Sequence, residues 1–191
     1  VLITDGNERA ALAVTRALGG EQVEVIVGAE SQRSLAGSSR YCRQSIAYPS
    51  PYQEPERFIA TLMEAVRTHR VDALIPLSDI AMHVLGPEKA QFEKYTHFPA
   101  PSPRAFQEIS DKYRLMQQAK AAGVAIPDTL FVPDGRVEEV LREIADFPVV
   151  VKPGCSLVKD GRRWTKTSVC YAESPEELLR LYRERAYLRQ P

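Results

Sequence analysis

Short apolar runs alternate with amphipathic stretches through the first hundred residues, and that rhythm restricts the fold more than any other feature of the chain. Val1-Leu2-Ile3 is closed by Thr4-Asp5-Gly6 and reads as a buried strand with its loop. Asn7 suits the N-cap of the next helix, which carries Ala11, Val14 and Leu18 on its apolar stripe and stops at Gly19-Gly20. Val23 to Val27 reads as a second strand, Ser31 to Cys42 as a polar surface loop, and Ser45 to Tyr48 as a weak third strand. Pro55 sits in the first turn of a helix with Ile59, Leu62, Met63 and Val66 spaced i, i+3, i+4, i+7. Val71 to Leu77 is the next strand. Ser78 then caps a helix from Asp79 that Gly86-Pro87 breaks, and a further short helix runs toward Tyr95. Strands separated by helices of this length need crossover connections, which predicts a mainly parallel, doubly wound α/β sheet.

The rhythm changes after a stiff segment containing Pro99, Pro101 and Pro103. Ser110-Asp111-Lys112-Tyr113 is a capped helix start, and Gly123 is its stop. Thr129 to Val132 reads as a strand, residues 136–145 as a helix, Phe147 to Lys152 as a strand, and Lys166 to Tyr171 as another. Ser174-Pro175-Glu176-Glu177 is a capping box with proline at the first helical position, opening a helix with Leu178, Leu181 and Tyr182 inward. The expected division is a doubly wound domain over 1–104, connecting helices over 105–127, and a smaller α+β lobe over 128–191.

Charge narrows the partners. Lysine plus arginine is 25 and aspartate plus glutamate is 25, so nothing general draws the chain to nucleic acid or to an anionic membrane. No apolar run approaches the ~18 residues of a spanning helix. Three cysteines, Cys42, Cys155 and Cys170, with no CxxC, exclude a disulfide framework and a tidy zinc site and fit a reducing compartment. The expectation is a soluble, cytoplasmic protein. The chain opens inside an apolar run and reads as a piece of something longer.

Chemistry has few places to sit. Thr4-Asp5-Gly6-Asn7 stands where a dinucleotide fold carries G-x-G-x-x-G, yet it has one glycine, which argues against a dinucleotide-binding oxidoreductase. Ser78-Asp79 falls at the carboxyl end of the fourth strand, where ligands of open parallel sheets bind; holding a polar substrate and capping the helix are both open to it. Lys112 occupies a helix's first turn, where a cation is disfavoured by ~0.3–1 kcal/mol unless an anion sits beside it. Lys152 ends an apolar strand and is held extended by Pro153, so it either snorkels or meets a counter-charge such as phosphate. The loop beyond it adds Ser156, Lys159, Gly161 and Arg162. His69, His83 and His97 are isolated in sequence, and Trp164 reads as a packing residue.

Three segments taken together resemble the ATP-grasp superfamily: Ser110-Asp111-Lys112-Tyr113-Arg114-Leu115-Met116, Ala122-Gly123-Val124-Ala125-Ile126-Pro127-Asp128-Thr129, and Phe147-Pro148-Val149-Val150-Val151-Lys152-Pro153. The nearest flavour is the group containing carbamoyl-phosphate synthetase and biotin carboxylase. The resemblance implies a pre-ATP-grasp, Rossmann-like domain followed by the ATP-grasp lid. It also implies an ATP-dependent ligase that joins a carboxylate to an amine through an acyl phosphate, with Mg²⁺ neutralising the phosphates. By the same resemblance Lys112 and Lys152 grip ATP phosphates. Ser156 and Lys166 stand in for the family's dense glycine cluster, and Asp5, Ser78 and Asp79 line a substrate cleft. The implied partners are small-molecule carboxylate and amine substrates, with a homodimer admitted. Asn7 is the only asparagine. The family's metal ligands, acidic residues and an asparagine, are therefore expected beyond residue 191, and the fragment is expected to be inactive alone. The competing reading is a non-catalytic nucleotide- or metabolite-binding module.

Overall fold

The computed structural model describes residues 1–132, 136–161 and 163–189. The chain divides into two compact units. The first comprises Val1–Pro103 together with Lys159–Thr165, and the second Arg104–Val158 with Lys166–Pro191.

The first unit is built on a four-stranded, all-parallel sheet of β1 (Leu2–Ile3), β2 (Val25–Ala29), β3 (Cys42–Ala47) and β4 (Leu74–Ile75), in the order β3-β2-β1-β4. Helix α1 (Arg9–Gly20) connects β1 to β2, and α2 (Pro55–Thr68) connects β3 to β4. β3 starts three residues earlier than its apolar content predicts, because pairing with β2 carries Cys42 and Gln44 into the ladder, with the register shifting at Arg43 between them. The β2–β3 crossover has no helix. It is held instead by backbone: Ala36 N–H donates to Gly6 O (2.8 Å), and Ser34 and Ala36 are buried in what the sequence presents as a polar surface loop.

One apolar cluster of this unit collects Ile3, Ala11, Val25, Val27 and Ala36. The buried set also includes Leu2, Leu74, Leu62, Phe58, Phe92 and Phe98, and each large side chain so buried contributes ~1.5–3 kcal/mol of transfer free energy. On α2 the inward stripe is Phe58, Leu62, Ala65 and Val66, one position off the predicted Ile59 and Met63, which are half-buried. Asn7 does not cap α1. Glu8 holds that position without a side-chain bond, and Asn7 Oδ1 instead accepts from Leu35 N–H at 3.2 Å. Ser78 does cap α3 (Asp79–Leu85), accepting from Ala81 N–H at 3.1 Å. A 3₁₀ turn and α4 (Lys89–Phe92) follow.

The second unit opens with α5 (Pro103–Ser110), which overlaps the start of the connecting helices expected over 105–127 and buries none of its residues. Asp111 caps α6 (Lys112–Ala121), accepting from Arg114 N–H at 3.1 Å, and Gly123 ends it at φ +73°. The predicted strand at Thr129–Val132 does not form, since no neighbouring strand offers it a ladder. The predicted helix over 136–145 is shorter, α7 (Val137–Val140) continued by one 3₁₀ turn. β5 (Val149–Val151) pairs antiparallel with β8 (Cys170–Ala172), while β6 (Leu157–Asp160) pairs with β7 (Arg163–Lys166). The single strand expected over Lys166–Tyr171 is thus two strand ends, parted where Thr167 turns back to the loop before β6. α8 (Pro175–Glu184) packs Leu178, Leu181 and Tyr182 with Val151, Cys170 and Ala172. Ser174 caps it as expected, but Glu177 Oε2 takes the N–H of Glu173 (3.0 Å), one residue before the usual capping-box donor.

Candidate functional site

Candidate residues fall into two groups, one in each unit. In the first, Asp5 stands at the carboxyl end of β1 with φ +61°, a left-handed conformation that aspartate tolerates better than most side chains. Its carboxylate gathers donors. Ser78 Oγ gives a 2.8 Å bond to Oδ1, Leu77 N–H reaches Oδ2 at 3.3 Å, and the Thr4 hydroxyl also donates to Oδ2. The Asp5 N–H donates to the Tyr48 hydroxyl at 2.8 Å. The Tyr48 ring is buried edge-on against Phe58, with centroids 4.8 Å apart. Burial, reinforced by the Asp5 charge, pushes the Tyr48 phenol well above its usual range, so it stays a hydroxyl. Asp5 and Ser78 are thus brought together, largely by bonding one another, while Asp79 is exposed on the first turn of α3.

Gly6 has a tight contact but no ligand space. A Cβ there would lie 2.6 Å from Ser34 Oγ and 2.7 Å from Val27 Cγ1. The close approach that a dinucleotide fold reserves for pyrophosphate is filled by the chain's own loop.

Sequence reasoning missed a further group at this end of the sheet. Trp164, on the Lys159–Thr165 segment, donates its N–H to Tyr52 O at 3.0 Å. Its ring lies 5.0 Å from that of His83, and Lys159 Nζ stands 5.6 Å from the ring centroid. Burial raises the Tyr52 phenol, with the charges of Asp5, Asp79, Glu30 and Glu8 adding to it. Burial lowers His83 despite the opposing pull of Asp79. The only advance signal was the i, i+4 spacing of Asp79 and His83; the arrival of Trp164 is a tertiary event.

In the second unit the Lys112 ammonium sits in the first turn of α6. It donates to Ser156 Oγ at 3.1 Å and Gly154 O at 3.4 Å, while its own N–H donates to the same carbonyl at 3.0 Å. Thr167 closes the loop from the other side, its N–H to Ser156 O and its hydroxyl to Cys155 O, both at 2.9 Å. Lys112 and Ser156 therefore belong to one built loop. Lys152 is exposed just past β5, and Lys166 is exposed at the end of β7; neither has an ion-pair partner among the described residues. Val150 and Tyr171 stand opposite each other across β5 and β8, 50% and 66% exposed, on the face away from α8. Period two puts Lys152 on that same face. Arg162 lies outside the described residues. Among the described residues no group of three or more His, Cys, Asp or Glu could hold a metal ion.

The all-parallel sheet with its crossovers and the small antiparallel pairs form a fold shared with several solved structures. Among solved structures the chain is similar to an L-amino acid ligase from Bacillus licheniformis (TM-score 0.65, 13% identity, 97% of this chain and 42% of that one). It is also similar to the biotin carboxylase domain of the 2-oxoglutarate carboxylase of Hydrogenobacter thermophilus (0.62, 17%, 96% and 39%), a dimer in complex with MgADP, ADP and bicarbonate. A third is N5-carboxyaminoimidazole ribonucleotide synthetase from Thermotoga maritima (0.57, 23%, 94% and 42%). The chain spans about two-fifths of the length of each. No family model and no curated protein matches it in sequence. Among the described residues no helix is long and apolar enough to cross a membrane.

Proposed function

We propose that the chain is the N-terminal portion of an ATP-dependent ligase that joins a small-molecule carboxylate to an amine or similar nucleophile through an acyl phosphate. In this reading residues 1–104 are the pre-ATP-grasp domain, 105–127 the connecting helices and 128–191 the lid. The observation that carries it is the Lys112 ammonium placed on the Gly154–Ser156 loop, 3.1 Å from Ser156 Oγ. A cation in a helix's first turn opposes the helix dipole, and an anion beside it reverses that penalty. Two of the ammonium's three donors are used internally, leaving one for a phosphate oxygen.

The bare face of β5 and β8 supports the same reading. Val150 and Tyr171 offer a purine base an apolar surface, and Lys152 ends that surface with an unpaired charge. Lys166 adds a second exposed cation. The Asp5, Ser78 and Asp79 edge is where the acceptor substrate is proposed to bind. No step is assigned to Mg²⁺, and the chain alone is not expected to turn over ATP. The second reading is a nucleotide- or metabolite-binding module without catalysis.

Calorimetric titration with ATP tests the phosphate site. Lys112→Met and Lys152→Met should each weaken binding about tenfold, the ~1.4 kcal/mol expected of one lost charge-assisted hydrogen bond. Equal affinity of both variants and the parent would refute the assignment.

A further inference from the structure

We propose that the open cleft at the amino end of β4 binds a small-molecule oxyanion, a phosphate or a carboxylate, between the guanidinium groups of Arg67 and Arg70. The proposal does not rest on the nucleotide reading. The cleft lies within the first unit, at the opposite end of the parallel sheet from Asp5 and Ser78.

Three pieces of chain build it. α2 supplies Arg67 in its last turn, the turn after α2 supplies Arg70 and Asp72, and the segment after α4 supplies Tyr95, Thr96 and His97. The cleft has a volume of about 630 Å³, within the range of small-molecule sites. Backbone bonds fix the pieces to one another: His97 N–H donates to Asp72 O at 2.8 Å, and Leu74 N–H to His97 O at 2.9 Å. The Arg67 guanidinium lies over the Tyr95 ring, 5.3 Å from its centroid, which limits where it swings.

The decisive residue is Arg70. Val71 N–H donates to Val66 O at 3.0 Å and Arg70 N–H to Arg67 O at 3.4 Å, the paired bonds of a Schellman motif with Arg70 at its left-handed position, φ +48°. Glycine is favoured there and arginine is strained, so the side chain is kept at a cost to the backbone. The same two bonds already satisfy carbonyls at the end of α2, so neither guanidinium is needed to cap the helix. Among the described residues no ion pair joins Arg67, Arg70 or the Asp72 carboxylate to any partner. Two cations against one carboxylate leave a positive balance, and guanidinium groups match the oxygens of phosphate and carboxylate alike. Thr96, the most buried polar residue of the lining at 6% exposed, has a hydroxyl without a hydrogen-bond partner among the described residues. A buried hydroxyl of that kind is costly until a ligand oxygen meets it.

Arg70→Gly removes the charge while suiting the backbone. The ligand-free variant should melt no lower than the parent, yet bind the oxyanion about tenfold more weakly. Two-dimensional NMR on the whole chain reads the binding, with inorganic phosphate and citrate titrated separately at constant ionic strength. Saturable shifts of the Arg70, Val71, Thr96 and His97 backbone N–H signals are expected with at least one probe. The tighter of the two tells a phosphorylated ligand from a polycarboxylate. Arg67→Met should weaken the same probe by a similar factor, and Thr96→Val by a few-fold. Shifts that never saturate, shifts scattered over other surface arginines, or equal affinity of Arg70→Gly and the parent would each overturn the site. Should Arg70→Gly fail to fold, Arg67→Met decides, and undiminished affinity in that variant counts against the proposal.

Discussion

Ser78 Oγ lies 2.8 Å from Asp5 Oδ1 and 3.1 Å from the N–H of Ala81, so one hydroxyl ties the end of β1 to the start of α3. Seventy-three positions separate the two residues in sequence. This hydroxyl both caps a helix and neutralises the edge of a half-buried carboxylate. Ser78→Ala should cost the cap, ~1 kcal/mol, plus a charge-assisted bond of ~1.5–3 kcal/mol, partly offset by solvent reaching Asp5. The expected total is about 2 kcal/mol, read as a lower urea midpoint with an unchanged slope. A loss within ~0.5 kcal/mol would show that water replaces the hydroxyl at no cost.

Gly6 tests why the first loop carries no second glycine. An alanine Cβ would meet Ser34 Oγ and the Val27 methyl well inside contact distance, and Val27 is fully buried. Gly6→Ala should destabilise the unit by ~1–3 kcal/mol through overpacking. Combining it with Ser34→Ala, which removes the nearer obstacle, should recover part of that loss, and thermal melts of the two variants measure it.

Tyr48 gives the first unit an alkaline limit. Its phenol is raised in the folded chain by burial and by Asp5, so the unfolded chain loses this proton first. A raised pKa contributes stability that is complete below the unfolded value near 10 and declines as pH rises beyond it. Stability should therefore fall above about pH 10. Tyr48→Phe should flatten that fall while lowering stability at neutral pH, because the Asp5 N–H loses its acceptor. Urea unfolding at pH 8 and pH 11 separates the two effects.

The Lys112–Ser156 contact predicts a graded response to nucleotide. Ser156→Ala removes a neutral hydroxyl from an ammonium and should weaken ATP by only a few-fold, against about tenfold for Lys112→Met. The reverse order would mean that the loop hydroxyl, not the cation, carries the phosphate contact.

Much of this fold was legible because local chemistry and tertiary demand agreed. Ser78, Asp111 and Ser174 each cap the helix that their spacing announces, and Gly123 ends α6 as its position after the apolar stripe requires. Lys112 and Lys152 stand out in the sequence because a cation in a helix's first turn and one at an apolar strand's end are both uncomfortable without a counter-charge. Asn7 misled: its side chain satisfies a distant N–H of the β2–β3 loop, a partner that no window of sequence contains. The strand expected at Thr129–Val132 failed for a related reason, since a strand exists only where another edge accepts its hydrogen bonds.

What the amino-acid order determined by itself is the local grammar: caps, stops, apolar periods, and two lysines in positions that ask for an anion. The tertiary structure alone decided what those groups meet. It bonded Asp5 to Ser78, seated Trp164 on His83, and gave Lys112 the Ser156 hydroxyl rather than solvent. The physical reason is range. Capping and amphipathicity act within one or two helical turns, whereas a side chain's pKa, its partners and its freedom depend on what long-range packing brings within a few ångströms of it.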